Sequence, residues 1–149
     1  MAARISPEIR RLLADRKLVR ANISRQAILN ELDASRKDLK DAKDSLAQKK
    51  YKWATIQGYY SMFRSARALL YRKGFREKSH YALLRALTDL FENELENSLI
   101  LSFEQAMDLR QEADYGLKFS ATGATETIEG AEKFLKSTRE ILKLPGLIS

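Results

Sequence analysis

The chain contains no cysteine and a single histidine among its 149 residues. Lacking thiols, it can hold no disulfide framework, no thiol nucleophile and no zinc site built on thiolates. With one imidazole, a metal site with two histidines cannot form within one protomer, and no metal or cofactor is expected. Prolines number two and glycines six, too few for a turn-rich β-protein, and no run of alternating β-branched residues suggests a strand. Apolar runs are short, as in Ala68-Leu69-Leu70-Tyr71, far below the ~18 residues that span a bilayer. The first residues, MAARISPEIRRLL, are basic but carry no apolar signal core. These absences predict a soluble, cytoplasmic protein with no membrane contact.

What is present is charge, unevenly placed. The net charge is +7. Residues 1–25 hold seven Lys and Arg against two acids, and residues 26–48 hold four against five. Residues 49–85 then hold ten against one, and residues 86–149 six against twelve. A charge run usually solvates a helix face, but ten cations with one counter-charge repel one another unless something offsets them, either the acidic last third of the chain, within the fold or across a dimer, or a phosphate-bearing partner. Lys49, Lys50, Lys52, Arg64, Arg72, Lys73, Arg76 and Lys78 are therefore candidate ligands for nucleic acid or another phosphate-bearing partner. Gly-rich phosphate loops are absent.

Helical periodicity fills the chain. Ser6 caps a first helix with Pro7 in its opening turn, running to about Leu18 or Arg20. Ser24 caps a second, whose Ile28, Leu32, Ser35, Leu39, Ala42 and Leu46 form a narrow seam. From Tyr51 to about Arg72 two adjoining apolar stripes predict a helix buried on more than one side, with Trp53, Tyr60 and Phe63 as packing residues and Gly58 permitting a close crossing. That breadth also motivates a homodimer. Arg67 lies between Phe63 and Leu70 on an apolar stripe, so it needs an acid or a cleft. Gly74 ends the helix. Ser79 caps a fourth helix with Leu83, Leu84, Leu87, Leu90, Phe91 and Leu95 inward. Ser102 and Gln105 read as the capping box of a short fifth, and residues 118–125 as a loop. A last helix carries Ile128, Ala131, Phe134, Leu135, Thr138 and Leu142 until Pro145-Gly146 stops it. The expectation is an all-α antiparallel four-helix bundle with a short extra helix, divided into a basic N-terminal helical arm (1–22) and a bundle domain (23–149).

The segment Gly58-Tyr59-Tyr60-Ser61-Met62-Phe63-Arg64-Ser65-Ala66-Arg67-Ala68-Leu69-Leu70, the run from Lys73 to His80, and Arg110-Gln111-Glu112-Ala113-Asp114-Tyr115-Gly116 together resemble the HEPN family over about residues 26–143. The resemblance implies a four-helix core, a frequent homodimer and association with small nucleotidyltransferases, as in toxin-antitoxin pairs. Many members are metal-independent ribonucleases, and others are binding modules without that activity. Arg67, Arg110, Asp114 and Tyr115 are the polar positions the resemblance singles out. Family ribonucleases carry an arginine followed after four to six residues by a histidine. Here Tyr115, Gly116 and Leu117 stand where that histidine would follow Arg110, and only Lys73 precedes His80 at a comparable distance.

His80 is thus the one candidate general base, with Arg76 a turn away to steady phosphate charge. In the first turn of a helix beside Arg76 and Lys78 its imidazole is expected to be neutral. The sequence favours a non-catalytic dimeric module binding nucleic acid, a nucleotide or a partner protein such as a nucleotidyltransferase through its basic face. A toxin-like ribonuclease with a degenerate site at His80 and a structural accessory subunit are the alternatives.

Overall fold

The computed structural model describes residues 5–114 and 119–143. Six helices and two short strands follow in order: α1 (Pro7–Ala14), β1 (Leu18–Arg20), α2 (Arg25–Ala47), α3 (Tyr51–Arg72), β2 (Phe75–Glu77), α4 (His80–Leu90), α5 (Asn97–Asp114) and α6 (Ala121–Leu142). Serine hydroxyls open four of the helices. Ser6, Ser24, Ser79 and Ser120 accept from the N–H groups of Ile9, Ala27, Ala82 and Gly123 at 3.0–3.1 Å, satisfying donors that the helix itself leaves unpaired. At the far end of α3 the chain reverses through Gly74, whose φ of 85° is open to glycine at no steric cost.

Helix α3 is the axis. Fourteen of its 22 residues are buried, because α2, α4, α5, α6 and β2 all pack around it. Most of the two stripes read from the sequence is thus covered within one chain, with Trp53 left exposed. Against α2, three small hydroxyls replace bulk: Ser35 Oγ donates to Ser61 O at 2.7 Å and lies 2.8 Å from Ser65 Oγ, while Ser61 Oγ donates to Ser35 O at 2.9 Å. Against α6, glycines allow contact. A Cβ on Gly58 would stand 2.9 Å from Thr127 Cγ2, and one on Gly130 would stand 2.9 Å from Met62 Cε. The α2 seam is as the spacing required, with Ile28, Leu32, Ser35, Leu39 and Ala42 buried and Leu46 partly so.

Several boundaries differ from the sequence reading. Helix α1 stops at Ala14, and residues 18–20 pair antiparallel with residues 75–77, Val19 opposite Arg76. Three residues a side are too few to show alternation. The basic N-terminal segment therefore returns to the bundle, with Ile9, Leu12 and Leu18 buried in the core. Helix α4 ends at Leu90, and Phe91 and Leu95 reach the same core from the connecting turn. Helix α5 starts at Asn97, so Ser102 and Gln105 lie inside it and cap nothing. Ser120 opens α6 within the expected loop. Pro145 and Gly146 lie outside the described residues. Trp53 is 53% exposed rather than packed, since at that first turn the buried arc runs through Ala54, Thr55 and Ile56; Tyr60 is partly buried and Phe63 fully.

The ribbon is fastened to the bundle by charge. Arg67 Nε and Nη2 both donate to Glu77 Oε2, at 2.9 and 2.7 Å, and Nη1 reaches Glu31 Oε1 at 3.4 Å. The Glu77 side chain is only 7% exposed. This packing makes two stability changes predictable. Gly58→Ala gains helix propensity but meets a Thr127 methyl held in place by the Thr127 Oγ1 bond to Gly123 O at 2.8 Å. The net result is a loss of about 1 kcal/mol in urea unfolding, recovered largely in the double variant with Thr127→Ser. Arg67→Met strands the Glu77 carboxylate and costs ~3 kcal/mol, whereas adding Glu77→Leu returns most of it.

Candidate functional site around His80

Three residues of α3 spaced four apart, Tyr59, Phe63 and Arg67, share one face. The Ser79 cap sets His80 at the start of α4 directly against that face. Phe63 stacks on the imidazole with ring centroids 4.4 Å apart, Tyr60 meets it edge-on at 6.3 Å, and the Tyr59 hydroxyl lies 2.5 Å from Nδ1. The phenol is itself held between Phe103 of α5, stacked at 5.8 Å, and the Arg110 guanidinium, 5.4 Å from its centroid. Arg67 lies 4.5 Å from the centre of Phe63. Side chains from α3, α4 and α5 thus converge on one half-buried imidazole.

The electrostatics follow from these neighbours. Burial lowers the His80 pKa first, and the Arg110 charge lowers it further; Glu77 works the other way and Arg67 adds to the depression. The ring is therefore neutral at pH 7. Burial pushes the Tyr59 phenol well above its ordinary range, against the pull of Arg110. The protonated phenol and Nδ1 share one hydrogen bond, in which the hydroxyl donates when the ring proton is on Nε2 and accepts when it is on Nδ1. The cations that depress His80 are Arg110 and Arg67, from α5 and α3, rather than the neighbours in sequence.

The other candidate residues fall in three places. Arg76 lies over Tyr71, with its guanidinium carbon 4.9 Å from the ring centroid and Nη1 donating to the hydroxyl at 3.1 Å. Arg72, Lys73 and Lys78 are exposed beside it at the C-terminal end of α3 and around β2. Lys49, Lys50 and Lys52 stand at the opposite end of α3, a helix roughly 30 Å long for its 22 residues. They adjoin the exposed Trp53, over which Lys52 Nζ lies at 5.3 Å. The basic block is thus two clusters rather than one patch. Arg64 belongs to neither, facing Glu31 at 3.4 Å and Asp38 at 3.9 Å. The Asp114 side chain and Tyr115 lie outside the described residues.

Sequence reasoning named His80, Arg67 and Arg110 separately but missed Tyr59 as the partner of the imidazole and Arg110 as its neighbour. The four-residue spacing of Tyr59, Phe63 and Arg67 was the available signal. An apolar stripe that ends on a guanidinium marks a face turned toward something polar.

Comparison with known proteins agrees with this architecture. The family model of the HEPN domain matches residues 31–147. A protein of Methanocaldococcus jannaschii named "Putative toxin MJ0605" is 30% identical over 122 residues, which cover 80% of this chain and 91% of that one. The crystal structure of TT1696 from Thermus thermophilus superposes with a TM-score of 0.65 at 20% identity, covering 76% of this chain and 96% of its own, and so shares the fold. No helix among the described residues is long and apolar enough to cross a membrane. With the family model matched along most of its length and its helices arranged as a bundle around α3, this chain belongs to the HEPN domain family.

Proposed function

We propose that the protein is a toxin-type HEPN module that holds RNA by its phosphates without cutting it. The observation that carries this reading is the environment of His80. Cleavage at a 2′-hydroxyl needs a base for that proton, an acid for the leaving oxygen and a cation for the developing charge. The groups gathered about His80 are a phenol whose ionisation burial opposes, the edge of Tyr60, two guanidiniums, a hydrocarbon ring and a carboxylate already taken by Arg67. They supply positive charge at the imidazole. For proton transfer they leave one imidazole, tied through Nδ1 and held neutral, which suits a base and, among the described residues, has no matching carboxylic acid beside it.

The similarity to the M. jannaschii protein, together with that protein's name, supports a toxin-type setting, and the uncompensated cations of this chain support a polyanionic target. With chelator present throughout, the purified protein is expected to retain RNA in a filter or anisotropy assay while releasing little or no product. Robust cleavage that disappears in His80→Ala would establish the ribonuclease alternative instead.

The His80 environment also sets a pH dependence. Because the folded pKa lies below the unfolded value of about 6.5, the unfolded chain binds the proton more tightly. The stability His80 contributes is complete above that value and is lost as the pH falls through the folded pKa. Chemical denaturation at pH 7.5 and 5 is expected to show a drop that His80→Gln reduces, and NMR titration of the imidazole should place its midpoint below 6.5.

A further inference from the structure

The two strongly basic stretches of the sequence, residues 1–25 and 49–85, are separated by all of α2. The β1–β2 ribbon brings them together. Val19 pairs with Arg76 and Arg20 with Phe75, and beyond the paired residues the Lys78 N–H donates to Lys17 O at 2.9 Å. Lys17 and Lys78 therefore face each other across the two chains with like charge, an arrangement that weakens a ribbon. Alternation sends Phe75 and Glu77 inward, and Arg76 to the other side. Arg72 and Lys73 adjoin from the end of α3, and Arg20 lies over Phe75 with its guanidinium carbon 5.5 Å from the ring centroid.

None of these six cations lies within ion-pair distance of a carboxylate among the described residues. Elsewhere many cations of this chain are compensated. Arg36 and Lys37 share Asp33, Lys40 meets Asp44, and Lys43 meets Glu132. Arg11 and Arg85 share Glu8. Glu77, the acid the ribbon does contain, is turned to Arg67. The ribbon thus retains a repulsive lysine pair and discards its own counter-charge, which is an arrangement that an external polyanion relieves.

We propose that the outer side of the β1–β2 ribbon is the docking surface for the RNA backbone, with Lys17 from one strand and Arg76 and Lys78 from the other forming one cationic strip that Arg72 and Lys73 adjoin. This rests on the reading that the protein binds RNA. The Arg76 guanidinium, resting on the Tyr71 ring, is a preset fork for phosphate oxygens, whereas Arg20, paired with Phe75, stands on the other side of the ribbon at its edge. Residues two apart along a strand stand about 6.8 Å apart, a reach suited to consecutive phosphates of an extended strand. A protein partner needs apolar anchors, and the exposed large apolar side chains, Trp53, Tyr81, Leu101 and Phe119, are not on the ribbon. The absence of an exposed aromatic from these strands also makes the contact indifferent to base sequence.

The test is fluorescence anisotropy with an end-labelled, mixed-sequence single-stranded RNA, measured across a salt series. The triple variant Lys17→Glu, Arg76→Glu, Lys78→Glu is expected to bind at least about tenfold more weakly, and to lose about 2 from the slope of log K against log salt. A control with the same charge change, Lys37→Glu, Lys133→Glu, Lys136→Glu, should stay near the wild type. Lys17→Glu alone gives the sharpest readout. It converts the repulsive pair into an attractive one, so Tm should rise while RNA affinity falls, a combination that unfolding cannot produce. Equal weakening by both triple variants would overturn the ribbon as the site, and equal competition by a poly-glutamate of matched charge would transfer it to an acidic protein. Failure of the wild type to bind RNA at low salt would overturn the proposed function itself.

Discussion

Arg67 grips a single oxygen of Glu77 with two nitrogens, and the position of the ribbon and of the start of α4 depends on that grip. A guanidinium this far inside an apolar stripe costs several kcal/mol in lost hydration unless it is met by a carboxylate, and Glu77 is the one acid of residues 49–85, joined by Glu31 of α2 at a longer distance. Its capture fixes β2, which fixes the pairing of β1 and the return of the N-terminal segment. Two residues after Glu77 stands Ser79, so the same contact also sets where α4 begins and where His80 points.

The imidazole sits in a setting more aromatic than ionic. Phe63 and Tyr60 cover part of its surface, Tyr59 hydrogen-bonds to Nδ1, and the Arg110 guanidinium lies against the same phenol. These aromatic rings fit on α3 because the opposite interfaces are lined with serine and glycine. Where Ser35, Ser61 and Ser65 meet and where Gly58 passes Thr127, the helices approach closely enough to leave the large side chains for one side.

Much of this was legible in the sequence because helix signals are local. Ser6, Ser24 and Ser79 cap where a small hydroxyl precedes an apolar period, and the seam of α2 needs only its spacing. Arg67 announced a partner without identifying it, since Glu77 reaches it only after the turn at Gly74. The ribbon was illegible for a related reason: Leu18-Val19-Arg20 and Phe75-Arg76-Glu77 become strands only through each other. Ser102 misled because the cap pattern was read without the helix already running through it from Asn97. Around His80, the residues adjacent in sequence, Arg76 and Lys78, drew attention away from Arg110, which is brought close solely by the packing of α5 on α3.

The pairing of Val19 with Arg76 joins positions 57 apart in the chain, and this gives the molecule an order of assembly. The α2–α3 hairpin closes over a turn of three residues and can form as soon as it is made. Strand β1, synthesised earlier, has nothing to pair with until β2 follows some fifty residues later, so the N-terminal segment has no strand partner while the α2–α3 hairpin forms beside it. On a ribosome, itself a dense field of phosphates, the segment that completes the ribbon last is the one most exposed to polyanion before the fold has closed.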